Sequence, residues 1–357
     1  MFGFEPGTGR AFARFHWVRA PATIIVIGAS TGGVEALCAL VADLPAEIDA
    51  AVFVVLHIGA HQSVLPSLLA RAGPLPATHP SQGDAIQTGH IYVAPPDHHM
   101  LVEGGLIALT KGPRENCARP AIDPLFRSAA RAYGASVIGV VLTGGLNDGT
   151  AGMIEIKANG GITVIQNPSE AATPNMPQSV ADNVEVDYVV SVNEIGALLV
   201  RLVRSVGTAQ PVPVPAIGDS QERGITAEFT LNLPAAITCP DCGGALRRSE
   251  LGSLTQFSCH IGHVYTAEVM LAAQFLQMER ALETALRSLS ERADLCRQMS
   301  AKVLVKDENV ESRDLWDAAS QEAVDRTQPL RQLLTAPWLH PGHSVGASER
   351  ATTTAGG

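Results

Sequence analysis

Three residues in this sequence have the types and surroundings of a hydrolytic relay. Ser30 stands in Gly28-Ala29-Ser30-Thr31-Gly32-Gly33, which fits the pattern G-x-S-x-G. A serine on a tight strand-to-helix turn exposes its hydroxyl at a sheet edge. The helix N-terminus behind it offers free N–H groups and positive partial charge to an oxyanion. The loop alone leaves two readings open, a nucleophile or a glycine-rich turn that binds an anion. It has neither the G-x-G-x-x-G of dinucleotide sites nor the lysine of a P-loop. His57 ends the apolar run AAVFVVLHI, where an imidazole is placed to act as a general base. Asp148 lies in LTGGLNDGTAG, where an isolated Asp reads as a turn former or helix cap. The three are more specific together than apart. A hydroxyl needs an imidazole to take its proton, and the imidazole needs a carboxylate to fix its tautomer and steady its charge. His61, His90, His98 and His99 compete as bases but rank below His57, because they fall in helix starts or hairpin loops.

Such a relay needs a scaffold that brings distant loops to one edge. Between residues 22 and 204 short apolar runs alternate with helical stretches. TIIVIGAS, AAVFVVLHI, SVIGVVLTG and ITVIQN read as buried strands. VEALCALVADL, SVLPSLLARA, IDPLFRSAARAYGA (with Asp123 near its start) and AGMIEIKANGG read as helices, and EVDYVVSVNEIGALLVRLV adds one strand and one helix. HIYVAPPDHHMLVEGGLIALT is expected to form a hairpin closed at Gly104 and Gly105. Near-continuous Val/Ile strands separated by helices predict an α/β fold with a doubly wound, mainly parallel sheet covered on both faces, a three-layer sandwich. Ligands of such sheets sit at the carboxyl ends of the strands, where Ser30, His57 and Asp148 all follow strands. The chain order Ser…His…Asp differs from that of the α/β-hydrolases, in which Asp precedes His, so the scaffold is expected to be a separate one.

Composition sets the outer limits. The chain has 357 residues, 46% of them apolar and 17% charged, enough for two domains. No apolar run reaches the ~18 residues of a membrane helix, so membrane insertion is not expected. With 25 basic and 35 acidic residues the net charge is −10, which does not suit a nucleic-acid backbone. Residues 1–21 read as an unstructured leader; Arg10, Arg14 and Arg19 stand there without the apolar stretch of a signal peptide. Three of the six cysteines crowd between positions 239 and 259, which suits a metal site in a reducing compartment, and a cytoplasmic location is expected.

That cysteine cluster belongs to a second region. A Pro-rich linker is expected over 205–236, a compact Cys/His module over 237–265, an amphipathic helix over 266–305 and a helical remnant with a disordered tail over 306–357. Cys239-Pro240-Asp241-Cys242 delivers two sulfurs from one turn, and Cys259 with His263 supplies a second pair, so a structural zinc in a zinc-ribbon-like module is expected. His260 is the alternative fourth ligand. Four protein ligands would leave no open position for catalysis. The helix carries a stripe of Phe275, Met278, Leu282, Ala285, Leu286, Leu289, Ala293 and Cys296, able to pack inside the chain, against a second copy in self-association, or on a partner helix.

Residues 22–200 resemble the catalytic domain of the bacterial chemotaxis protein-glutamate methylesterases. The resemblance rests on IGASTGG at 27–33, VVLHI at 54–58, IYVAPPDHHM at 91–100, ARPAIDPLFRSAA at 118–130, LTGGLNDGTAGM at 142–153 and MPQSVA at 176–181. It implies Ser30 as nucleophile, His57 as general base and acid, Asp148 as orienting carboxylate, and the N–H groups of Thr31 and Gly145 at the oxyanion. The implied reaction removes γ-methyl esters from glutamates of chemoreceptor cytoplasmic helices, with deamidation of certain glutamines as a second activity and no catalytic cofactor. The family's usual LTGMGxDG reads LTGGLNDG here, so Gly145 takes the place of a methionine, and its GMP appears as Asn175-Met176-Pro177. The receiver domain that commonly precedes the family's catalytic domain is expected to be absent. Two rival functions stand beside the esterase reading: a non-catalytic protein that binds methylated receptor helices, and an esterase for an unrelated substrate.

Overall fold

The computed structural model describes residues 21–58, 63–206, 237–305 and 310–338. His61 and most of the leader, linker and tail fall outside the described residues. Two compact units divide the chain within 207–236.

The first unit is built on seven strands: β1 (Ile24–Ala29), β2 (Ala51–Leu56), β3 (Ala77–Thr78), β4 (Ile91–Val93), β7 (Val137–Val141), β8 (Ile162–Gln166) and β9 (Tyr188–Val190). They lie in the order β3-β4-β2-β1-β7-β8-β9, and every pair is parallel. All residues of β1, β2, β4 and β7 are buried, as expected of strands covered on both faces. Their side chains alternate between two cores. Ile25, Ile27, Val52 and Val54 meet Leu37 and Leu40 of α1 (Gly33–Ala42), Leu69 of α2 (Leu65–Ala72) and Leu199 of α6 (Val192–Val206). Ile24, Val26, Phe53 and Val55 meet Phe126 of α3 (Ile122–Tyr133), Met153 and Ile156 of α4 (Thr150–Ala158) and Val180 of α5 (Asn175–Asn183). Each fully buried Ile or Phe of these cores contributes on the order of 1.5–3 kcal/mol. The fold is thus the expected three-layer, doubly wound α/β architecture, with the whole main sheet parallel.

The chain leaves β1 to one side through β2 and returns to its other side through β7, so β1 marks the point where winding reverses. Register aligns the strand ends there: Ala29 pairs with Leu56, and Gly28 pairs with both Val55 and Val141. The loops after β1, β2 and β7 therefore open side by side, which is where ligands of such sheets bind.

The expected hairpin over 90–110 is corrected in part. Its first segment is β4, which pairs with β2 and β3 in the main sheet. Pro95 and Pro96 end that strand because proline has no N–H to continue a ladder. The antiparallel hairpin is the later pair β5 (His99–Glu103) and β6 (Leu106–Thr110), joined by Gly104 and Gly105, both at positive φ. Helix α6 runs to Val206, two residues beyond the expected end of the catalytic domain.

The second unit carries a three-stranded sheet of β10 (Leu246–Leu251), β11 (Leu254–Cys259) and β12 (Val264–Thr266). Helix α7 (Ala267–Val305) follows, and α8 (Val310–Thr335) is a full 26-residue helix where only a remnant is expected. The two helices run antiparallel. Ser320 Oγ donates to Ala293 O at 3.0 Å, and the Phe275 ring meets Trp338 edge-on at 5.8 Å. The apolar stripe of α7 is therefore met by α8 of the same chain, with Ala293 and Cys296 buried; Ala285, expected on that stripe, is exposed. Among the described residues no helix is long and apolar enough to cross a membrane.

Candidate active site

Ser30 follows β1 directly, and Gly32 takes a left-handed φ of 75° at the head of α1, so the chain turns from strand to helix within three residues. The turn is tied down by Ser30 N–H donating to Thr143 O at 3.0 Å and Gly33 N–H donating to Ser30 O at 2.8 Å. Gly144 passes close by. A Cβ there would lie 2.9 Å from Ser30 Cβ and would collide with Met176 Sδ, so only glycine fits between Ser30 and α5. Thr143 holds this loop in place: its N–H donates to Gln166 Oε1 at 2.9 Å, and its hydroxyl accepts from Thr173 N–H at 2.8 Å.

His57 lies one residue past β2. Its Nδ1 is 3.3 Å from Ser30 Oγ and its Nε2 is 2.8 Å from Asp148 Oδ2. The carboxylate can only accept, so Nε2 carries the proton and Nδ1 presents a lone pair to the serine hydroxyl. That is the tautomer a general base needs. The imidazole is about one-fifth exposed, Asp148 is buried and Ser30 is half-buried, so the relay runs outward from the protein interior.

Asp148 sits in a nest of donors. Oδ2 accepts from His57 Nε2 and from Ile122 N–H at 2.6 Å; Oδ1 accepts from Asn116 Nδ2 at 2.9 Å, Gly149 N–H at 3.1 Å and Asp123 N–H at 3.3 Å. Ile122 and Asp123 open α3, so their N–H groups are helix-terminal donors with no partner inside the helix, and the helix dipole favours an anion there. Burial alone would raise the Asp148 carboxyl. The hydrogen bond and charge of His57, with the Ile122 and Asn116 donors, outweigh it and hold the group down to about 2. Asp148 is therefore ionised wherever His57 is to be steadied.

Two further residues join this network that sequence reasoning did not assign. Asn116 Nδ2 donates at 2.9 Å to both Asp148 Oδ1 and Asp123 Oδ2. Asp123 Oδ1 accepts from Gly149 N–H at 3.0 Å and Gly152 N–H at 2.7 Å, clamping the start of α4 to that of α3. Burial, then the neighbouring charge of Asp148, push the Asp123 carboxyl well above the usual carboxylate range. Environment thus drives the two buried acids in opposite directions. The sequence showed Asp123 as a first-turn acid, an ordinary capping signal; nothing in it says that the carboxylate reaches across to the Asp148 loop.

The competing bases lie elsewhere. His90 Nε2 is 2.9 Å from Thr78 Oγ1, and His98 Nδ1 donates to Pro96 O at 2.9 Å. His99 is buried, donating from Nε2 to Pro113 O at 2.9 Å and accepting Ala121 N–H at Nδ1. Of the expected oxyanion residues, Thr31 follows Ser30 in the chain and Gly145 follows Gly144, which approaches Ser30; among the described residues neither N–H donates to a backbone carbonyl.

In the second unit Cys239, Cys242, Cys259 and His263 bring four ligand atoms within 4.8 Å of one another. Tetrahedral zinc with bonds near 2.3 Å to sulfur and 2.0–2.1 Å to nitrogen places S···S at about 3.8 Å and S···N at about 3.6 Å. Cys242 and Cys259 sulfurs are 3.7 Å apart, and His263 Nδ1 is 3.6 Å from Cys239 and 3.4 Å from Cys259. The donor set and its spacing fit that ion. His260 is exposed and stands outside the group.

Comparison with known proteins covers the first unit. A protein-family model described as CheB methylesterase matches residues 25–199. A Leptospira interrogans protein named "Putative protein-glutamate methylesterase/protein-glutamine glutaminase" is 37% identical over 180 residues, covering 50% of this chain and 93% of its own. A Rhodopseudomonas palustris protein-glutamate methylesterase/protein-glutamine glutaminase is 40% identical over 185 residues, covering 50% of this chain and 47% of its own. The crystal structure of the Thermotoga maritima CheB methylesterase catalytic domain aligns at 31% identity with a TM-score of 0.49, covering 50% of this chain and 98% of that one.

Proposed function

The chain belongs to the CheB methylesterase family, and from that membership we propose that it hydrolyses glutamate γ-methyl esters on chemoreceptor-type cytoplasmic helices, with Ser30, His57 and Asp148 carrying the reaction. The observation that supports it most is the relay at 3.3 and 2.8 Å, held at the carboxyl ends of three adjacent strands. His57 Nδ1 takes the Ser30 proton as Oγ attacks the ester carbonyl. The new imidazolium is steadied by ionised Asp148 at Nε2. The tetrahedral oxyanion is held by the N–H groups of Thr31 and Gly145, each such donor typically worth ~3 kcal/mol. When the C–OCH3 bond breaks, His57 returns its proton to the leaving oxygen and methanol departs. Water then attacks the acyl-serine, giving its proton to His57, and collapse frees the glutamate and restores the Ser30 hydroxyl. With a glutamine amide the same steps release ammonia, the glutaminase half of the relatives' names.

No catalytic cofactor enters these steps. Cys239, Cys242, Cys259 and His263 are read as the ligands of a structural zinc that staples the small second unit, where little apolar core is available. The catalytic unit is read as residues 22–206, and the cytoplasm as its place of action.

The test is methanol release from a methylated receptor cytoplasmic fragment by the full chain and by Ser30→Ala. Turnover is expected from the parent and none from the variant, whose thermal unfolding should match the parent's. Methanol release by Ser30→Ala at the parental rate would remove Ser30 from the mechanism. A parent that hydrolyses a small activated ester but frees no methanol from the receptor would overturn the substrate reading.

A further inference from the structure

The loop after β7, which passes Ser30 at Gly144 and carries Asp148, breaks a backbone rule. Leu146 has a φ of 59°, in the left-handed region that bulky side chains avoid at a cost of roughly 1–2 kcal/mol. Its neighbour Gly145 needs no such freedom: it is not among the residues at positive φ, and a Cβ added there would meet only Thr173 Cγ2, at 4.0 Å. Conformational economy would put the side chain at 145 and the glycine at 146. The chain does the reverse.

Packing does not repay the strain, because Leu146 is 42% exposed and belongs to neither core of the first unit. Its surroundings are fixed on both sides. Two residues before it, Gly144 is wedged between Ser30 and Met176; two residues after it, Asp148 holds His57. Strain at an exposed leucine outside both cores, two residues from the glycine beside Ser30 and two from Asp148, points to a side chain that acts at the site.

We propose that Leu146 is a specificity-determining residue: an apolar lip beside Ser30 that packs against aliphatic side chains flanking the esterified glutamate on a helical protein substrate, with open space at Gly145 admitting that helix. This rests on the protein-methylesterase reading above and deepens it. A small free ester has no flanking residues and gains nothing from the lip, so Leu146 sets the ratio of protein to small-ester turnover.

The test compares the full parent chain with Leu146→Gly, Leu146→Asn and Leu146→Met on a methylated receptor fragment and on p-nitrophenyl acetate. Gly and Asn both accept the left-handed backbone, and Met keeps apolar reach. In Leu146→Gly and Leu146→Asn the receptor KM should rise about tenfold, the scale set by losing the burial of part of one leucine side chain. The receptor-to-small-ester ratio of kcat/KM should fall by the same factor, while Tm stays level or rises. Leu146→Met should keep that ratio within about threefold of the parent's. An unchanged ratio in Leu146→Gly and Leu146→Asn overturns the proposal. So does a parallel fall on both substrates with a lowered Tm, which would mark a loop-packing role. If the parent frees no methanol while still cleaving the small ester, the functional reading itself fails, and Leu146 loses its assigned partner with it.

Discussion

Replacing Asp148 by Asn keeps the size of the side chain and reverses the logic of the relay. Every partner of the Asp148 carboxylate is a donor: His57 Nε2 and the Ile122 N–H at Oδ2; the Asn116 amide and the Gly149 and Asp123 N–H groups at Oδ1. An asparagine offers one acceptor atom and one donor group to these two sides. With its NH2 toward His57, Nε2 must accept, the proton moves to Nδ1, and Ser30 Oγ, 3.3 Å away, faces an N–H in place of a lone pair. With its NH2 toward Asn116, three donors lose a buried acceptor, each at a cost of about 1–3 kcal/mol. The first placement leaves fewer donors stranded, and it is the one that disables the base. Wrong-tautomer substitution of this type in serine hydrolases lowers kcat by ~10⁴-fold, about 5.5 kcal/mol of barrier. The assay is kcat and KM for methanol release from the methylated receptor fragment by parent and Asp148→Asn. The expected outcome is a fall of ~10³–10⁴-fold in kcat with KM little changed and Tm lower by a few degrees. A kcat within tenfold of the parent's would refute the assignment of Asp148 as the residue that sets the His57 tautomer.

The same carboxylate makes an acid-stability prediction. Its folded value, about 2, lies below the usual ~3.9 of an unfolded Asp, so it stabilises the fold above about pH 4 by on the order of 2–3 kcal/mol, and that contribution is lost as pH falls toward 2. The gap in urea unfolding free energy between parent and Asp148→Asn should therefore shrink between pH 6 and pH 2.5; a gap of constant size contradicts the depressed value. Asn116→Ala removes the amide that donates to both buried carboxylates, and about a tenfold loss of kcat at near-parental KM is expected from one hydrogen bond to a charged acceptor. A parental kcat in that variant would separate Asn116 from the relay. Cys242→Ser, or treatment with a strong chelator, should abolish stoichiometric zinc in the purified protein and lower a thermal transition of the second unit. Full zinc content in Cys242→Ser would exclude that sulfur as a ligand.

Much of this protein could be read along its sequence, because the signals are local. Runs such as IIVIGA and AVFVVL are apolar without alternation, which only a strand buried on both faces satisfies, and the loop after each such strand falls at the same sheet edge. That pointed to Ser30, His57 and Asp148 before any distance was known, and a C-x-x-C knuckle with a later Cys and His did the same for the second unit. The hairpin closes at Gly104 and Gly105 as expected, but its first arm begins only at His99, because alternation over 90–110 looks continuous until the two prolines are counted as breaks. The length of α8 was missed because it becomes a stable helix through packing on α7, and an amphipathic pattern that weak shows little periodicity alone.

Other features depend on approach in space and leave no sequence pattern. The bridge from Asn116 to two acids, 7 and 32 residues away, exists only because α3 starts where the β7 loop passes. The depressed carboxyl of Asp148 and the raised one of Asp123 follow from burial and from which donors surround each, although both read as the same short acid in a turn. The strained leucine beside a glycine that needs no freedom is invisible until φ is known, since residue order records composition and backbone angle is set by the contacts on either side.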